Sequence, residues 1–206
     1  MARNFTSISK LSRREGIALH PKAIKTLSRR NFAPGDHGQA RRQRPTDYGI
    51  QLREKQKVKR LYGLLEKQFR RFVSLALSQS GITGENLLRL LELRLDNTVY
   101  RAGFAPSRQS ARQLVGHGHI RINGRKATIP SMLVKTGDVI TVKEASLKNA
   151  YFTDLATTLS DSKNDSQFSW LSVEPKKLTA TVTGQPQRSE ITEPIQEQLI
   201  IEYYSR

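Results

Sequence analysis

Residues 105–144, APSRQSARQLVGHGHIRINGRKATIPSMLVKTGDVITVKE, decide the fold. Pro106-Ser107 has the form of a helix start with Ser107 as N-cap, and a short helix follows to about Val115. Arg108 and Arg112 stand four apart, so both guanidinium groups leave one face of that helix. Gly116 and Gly118 end the helix and permit a tight exit. Ile120-Arg121-Ile122, Asn123-Gly124 and Arg125-Lys126-Ala127-Thr128 then read as two strands around a two-residue turn. Gly137-Asp138 turns the chain into Val139–Val142, an apolar-rich run suited to a strand packed on a helix. The pattern predicts a small helix-plus-sheet unit with Arg108, Arg112, Arg121, Arg125 and Lys126 along one edge. Between Arg101 and Thr136 there is no Asp or Glu, whereas a face charged only for solubility mixes its signs. Such an edge suits phosphates.

The rest of the composition agrees. Lys and Arg number 35 against 18 Asp and Glu in 206 residues, a net charge of +17, which favours a polyanionic partner. The excess is uneven: +14 over residues 1–71, +6 over 72–150 and −3 over 151–206, so the first three quarters carry the polyanion-facing surface. With no cysteine, thiol catalysis, disulfides and cysteine-based zinc sites are excluded. No apolar run approaches the roughly 20 residues that cross a bilayer, and MARNFTSISKLSRREG lacks the apolar segment of a secretory signal. A cytosolic protein is expected.

Upstream of the decisive stretch, Glu54–Leu77 has the periodicity of one long amphipathic helix. Val58, Leu61, Tyr62, Leu65, Phe69, Phe72, Val73 and Ala76 form its apolar stripe, which assigns Tyr62 and Phe69 to the core rather than to base stacking. Lys55, Lys57, Lys59, Arg60, Arg70 and Arg71 crowd the other side, and Gly63 hints at close packing or a bend. A second, leucine-rich helix is expected from about Glu85, running into Arg94-Leu95-Asp96-Asn97-Thr98. Residues 1–50 are basic and broken by Pro21, Pro34, Gly35, Gly38 and Pro45, so an irregular segment that orders on a partner is expected there. His117-x-His119 is a weak ligand pair without a nearby acid or cysteine, and no phosphate-binding glycine loop with a following Lys-Ser/Thr occurs.

Downstream, Lys148–Leu159 suits a short helix, and Phe168–Val173 and Leu178–Val182 suit strands, with the single tryptophan, Trp170, buried where the chain returns to the first domain. In the closing EPIQEQLIIEYYSR, Ile195, Leu199 and Tyr203 share a helical face.

Several strings, in order, resemble the small-subunit ribosomal protein S-four family. They are FAPGDHGQARRQR at 32–44 with TDYG at 46–49, YGLLEKQF at 62–69, RLDNTVYRAGFAPSR at 94–108, FSWL at 168–171 and LIIEYYSR at 199–206. The resemblance runs from end to end, interrupted mainly by a polar insert at 157–167, and 105–144 resembles the family's small RNA-binding module. It implies an α+β protein. A basic extension (1–50) precedes a mostly helical domain (51–96) completed by a C-terminal tail (150–206), with the RNA-binding module (97–149) inserted between them. The cysteine zinc site that some family members carry near the amino terminus has no counterpart here, so no metal and no cofactor is expected.

Joined to the charge pattern, the resemblance makes Ser107, Arg108, Gln109, Arg112, His117, His119, Arg121, Asn123, Arg125 and Lys126 the expected RNA-binding residues of the module. Arg41, Arg42, Arg44, Lys55, Lys57, Arg60 and Arg70 are those expected upstream. It implies a non-enzymatic, ribosome-bound protein of the bacterial cytosol or an organelle. Its implied RNA is the five-prime domain junction of small-subunit ribosomal RNA, with roles in subunit assembly and decoding accuracy. Neighbours of the S-five family and messenger RNA near its path into the ribosome are implied partners. Two rival functions are a free-standing RNA-binding regulator and an RNA-modifying enzyme. The second arises because Arg-Leu-Asp-Asn-Thr at 94–98 resembles the catalytic-aspartate motif of pseudouridine synthases. In those enzymes, however, the module precedes a large catalytic domain. A helix-end ion pair of Asp96 with Arg94 or Arg101 is the simpler reading of the string.

Overall fold

A computed structural model describes residues 6–39, 44–161 and 168–205, the side chain of Asp161 excepted. The chain forms an α+β protein that divides into two units, one of residues 1–87 and 193–206, the other of residues 88–192.

The first unit is helical. It contains α1 (Ile8–Glu15), α2 (Pro21–Arg29), α3 (Asp47–Leu61), α4 (Glu66–Leu77) and, at the far end of the sequence, α10 (Glu197–Tyr204). Residues 6–39 are mostly helical rather than irregular. Pro21 occupies the first turn of α2, where its missing N–H costs nothing, so it starts a helix instead of breaking one. His20 Nδ1 accepts from the Lys22 N–H at 3.0 Å, and Gly16 closes α1 in the left-handed region at φ 73°. Arg13 secures the following loop, donating to the Phe32 and Ala33 carbonyls at 3.0 Å each and stacking on the Phe32 ring at 4.6 Å.

Glu54–Leu77 is likewise two helices, not one. Gly63 sits at φ 63°, its N–H donating to the Arg60 carbonyl while the Leu64 N–H donates to that of Lys59. These paired bonds terminate α3 as a Schellman motif, after which Leu65 leads into α4. The predicted stripe is buried on both helices, Tyr62 and Phe69 included, except that Leu65 is only half-buried. In α10 the buried residue is Ile200, with Leu199 and Tyr203 half-buried, so the helix is rotated from the expected face.

Helix α5 (Thr83–Glu92) spans the division between the units. The second unit continues with α6 (Leu95–Arg101), α7 (Arg108–Gly116), β1 (Ile120–Ile122), β2 (Arg125–Ala127), β3 (Val139–Val142), α8 (Glu144–Leu147), α9 (Ala150–Asp161), β4 (Leu171–Glu174) and β5 (Thr179–Val182). The strands make one antiparallel sheet in the order β2-β1-β3-β5-β4. Asn123 and Gly124 both have positive φ (49° and 76°), as a two-residue hairpin turn requires. Register places Ile120 opposite Ala127 and Val142, and Ile140 opposite Ala180, and this face enters a core with Leu95, Val99, Phe104, Ala111, Val115, Phe152 and Trp170.

The expected division at residue 150 is therefore corrected. Strands β4 and β5 extend the module's own sheet through β3, and only residues 193–206 return to the helical unit. Trp170 accordingly belongs to the core of the second unit. Three short strands leave an apolar face too narrow to bury itself, and two further strands with α9 complete it.

Candidate nucleic-acid interface

Helix α7 and the β1–β2 hairpin carry the five cations of the expected edge. The Ser107 hydroxyl accepts from the Ser110 N–H at 3.2 Å, which makes this buried residue the N-cap of α7 rather than a surface contact. Gln109 and His117 are exposed on the helix and at its end. Across the hairpin Arg121 lies opposite Lys126, with Arg121 half-buried and Arg125 and Lys126 exposed. Gly118 (φ 75°) lets the hairpin close over the helix end, because a Cβ there would lie 2.4 Å from Lys126 Cε. Two of the expected RNA-binding residues also make hydrogen bonds within the fold. Asn123 donates to Asp138 Oδ1 and accepts from the Val139 N–H, both at 2.9 Å. His119 Nδ1 lies 2.9 Å from Ser146 Oγ, its ring 5.9 Å from that of Phe152.

The two arginines of α7 are tied to α6 beneath them. Asp96 Oδ1 accepts from Arg94 Nε (3.0 Å) and the Asn97 N–H (3.0 Å). Its Oδ2 accepts from Arg94 Nη2 (2.7 Å) and from Arg112 Nε and Nη2 (2.9 and 2.7 Å). Glu92 takes the Nε/Nη2 fork of Arg101 at 2.9 and 2.8 Å and receives Asn97 Nδ2 at 2.7 Å. Arg108 Nε donates to Asn97 Oδ1 at 2.7 Å, and its guanidinium stacks on Tyr100 at 4.8 Å. Each carboxylate is thus shared by two guanidiniums, Asp96 by Arg94 and Arg112, and Glu92 by Arg101 and, at 4.0 Å, Arg108. Among the described residues, four guanidiniums meet these two carboxylates. The ion pair expected at the end of Arg94-Leu95-Asp96 is present, with Arg94 and Arg112 as the partners of Asp96 and Arg101 on Glu92 instead.

In the helical unit three of the five described residues expected to bind RNA are engaged by partners within the unit. Lys55, its side chain only 4% exposed, is held by Glu66 at 2.8 Å with its ammonium 4.8 Å over the Tyr203 ring, so it has no surface to offer a phosphate. Lys57 pairs with Glu54 and donates to the Pro194 carbonyl, both at 2.7 Å. Arg60 pairs with the buried carboxylate of Glu15, which also receives Arg53 at 3.4 Å. Arg44 and Arg70 are exposed as expected, and Arg41 and Arg42 lie outside the described residues.

What sequence reasoning missed is α2. Lys22, Lys25 and Arg29 recur at helical spacing on it, all exposed and, among the described residues, without an ion pair. The sign was present in the sequence: no Asp or Glu occurs between Glu15 and Asp36. Among the described residues no group of three or more His, Cys, Asp or Glu is placed to hold a metal ion.

Glu66 carries a pH prediction. Burial alone would raise its pKa, but hydrogen bonds from Lys55, Lys59 and Tyr204 outweigh burial and bring it to about 2, below the ordinary 4.5. A depressed acid pKa stabilises the fold above the ordinary value, and that contribution fades as pH falls from about 4.5 towards about 2. Urea midpoints between pH 6 and about 2 should therefore fall more steeply for the wild type than for E66Q. Parallel curves would show that these bonds leave Glu66 unperturbed.

Residues 3–92 match the family described as ribosomal protein S4/S9 N-terminal domain, and residues 93–140 match the S4 domain. The chain is 50% identical to small ribosomal subunit protein uS4 of Chlorobium phaeovibrioides and 52% identical to that of Chlorobium luteolum, over 206 residues and 100% of each chain. Small ribosomal subunit protein uS4 of Desulfitobacterium hafniense is 50% identical over 212 aligned residues, again with 100% of both chains covered. With both family domains in order and half its residues shared along the full length of such relatives, the chain belongs to the small ribosomal subunit protein uS4 family.

Proposed function

We propose that this protein is a structural, RNA-binding component of the small ribosomal subunit. It binds folded small-subunit ribosomal RNA at the five-prime domain junction and helps nucleate assembly. The observation that carries the reading is the acid-free stretch from residue 102 to 136, which holds the exposed Arg125 and Lys126 of the hairpin and Arg108 and Arg112 of α7. Cations on phosphates gain affinity through counterion release, and A-form helices are read mainly by shape and backbone. Gln109, His117 and Arg121 flank this edge and take part, and Arg44 and Arg70 serve the helical unit with the α2 stripe. Neighbouring proteins of the S-five family, messenger RNA near its path into the ribosome, an influence on decoding accuracy and a cytosolic, ribosome-bound location belong to the same reading.

The test is affinity for the five-prime domain RNA across a salt series, with an unrelated folded RNA of equal length as control. A preference of about a hundredfold that persists at high salt is expected. Equal affinities that collapse together with salt would leave charge alone as the driving force and overturn the reading. Exchanging Lys22, Lys25 and Arg29 for glutamine should weaken both RNAs and reduce the slope of log affinity against log salt by about 2–3, near one unit for each phosphate no longer neutralised. An unchanged slope would remove α2 from the interface.

A further inference from the structure

We infer that Asp96 and Asn97 are positioning residues for RNA recognition, holding Arg112 and Arg108 so that α7 presents two guanidinium groups in a set orientation. The inference rests on the ribosomal RNA reading above.

The geometry separates two roles within one cluster. Arg94 and Arg101 are the counter-ions that the fold requires: Arg94 is buried and Arg101 half-buried, and each meets its carboxylate through both Nε and Nη2. Breaking such a buried pair is costly, which is reason enough for its presence. Arg112 and Arg108 come on top of that requirement, from the neighbouring helix. Arg112 binds Asp96 through its Nε/Nη2 edge while 28% of its side chain remains exposed. Arg108 is fixed at Nε by Asn97 and stacked on Tyr100. Asn97 links the halves, because its amide also donates to Glu92.

Two consequences follow from this chemistry. A long side chain free in solvent loses rotamer freedom when it docks, and here much of that loss is taken on folding, so the bound geometry is preorganised. Asp96 and Asn97 also set the direction in which the guanidinium groups of Arg112 and Arg108 lie. Orientation matters because a guanidinium recognises phosphate as a planar fork, whereas an ammonium acts as a point charge.

The test uses the full chain carrying R112K, R112Q or D96N, against the five-prime domain RNA and an unrelated folded RNA. R112K keeps the charge and loses the fork. It should lose about tenfold on the five-prime RNA, as R112Q does, while binding to the unrelated RNA, which counts charge, falls only for R112Q. D96N raises the net charge by one, so charge alone predicts tighter binding everywhere; positioning predicts a loss on the five-prime RNA only. R112K binding the five-prime RNA like the wild type overturns the inference, and that arm decides even where D96N fails to fold. Wild-type protein that binds both RNAs equally overturns the ribosomal reading and the inference together, a result distinct from a discriminating protein indifferent to R112K.

Discussion

Replacing Asp96 with alanine is expected to lower the unfolding free energy by about 3–5 kcal/mol, read by urea titration with circular dichroism. Asp96 is 3% exposed and Arg94 only 2%. The truncation leaves Arg94 buried with no carboxylate in its plane, and it strips Arg112 of the acceptor for its Nε/Nη2 edge. It also removes the acceptor of the Asn97 N–H in the first turn of α6, a smaller loss. A destabilisation under about 1 kcal/mol would mean that Arg94 reaches water once Asp96 is gone, against its burial in the folded chain. The same geometry argues against a catalytic aspartate. A carboxylate that attacks a base must be reachable, and both oxygens of Asp96 already accept from buried or half-buried donors. Neither wild type nor D96A should form pseudouridine in small-subunit RNA; turnover lost in D96A would restore the enzymatic alternative.

The parts of the molecule legible in the sequence are those set by neighbours a few residues apart. Ser107 caps α7 through Ser110, and Asn123-Gly124 supplies the two positive φ values of the hairpin. The stripe from Val58 to Ala76 is buried as its period requires, Leu65 excepted. Where the reading failed, a local signal had two meanings. Pro21 breaks a helix interior but opens a helix at its first position, and Gly63 bends a helix or ends it according to which carbonyls are free to receive the next two N–H groups.

Long-range partners account for the expected site residues that pair within the fold. Lys55 lies on the polar side of α3 by periodicity. It is buried because Tyr203 and Tyr204 cover it and Glu66 receives it, and the tyrosines lie about 150 positions away. Lys57 meets Pro194, and Arg60 meets Glu15. Counting cations cannot distinguish a charge aimed at solvent from one consumed by an internal carboxylate. Local acid depletion does better: the stretches without Asp or Glu, 16–35 and 102–136, contain the exposed cations of α2 and of the hairpin.

Trp170→Ala is the second large effect, expected to cost about 3–5 kcal/mol by removing a wholly buried aromatic side chain. Trp170 is 2% exposed and packs in the core with Leu171, Phe152 and Val182, its ring 6.4 Å from that of Phe168. Its backbone carbonyl receives the Thr183 N–H at 2.9 Å, joining the start of β4 to the end of β5, so the cavity opens where the last two strands meet. Because the sole tryptophan is lost, unfolding must be followed by circular dichroism, with W170F recovering a good part of the stability. Amide exchange then tests where the segment belongs. If β4 and β5 complete the module's sheet, W170A strips protection first from β3, β4 and β5, with Ile140 and Ala180 as reporters, since these residues pair directly across the ladder. Had the whole tail from residue 150 been part of the helical unit, the first amides to lose protection would be those of α3 and α10. Protection retained in β3 while α10 opens would show that pairing between β3 and β5 contributes little, and would return Trp170 to the helical unit.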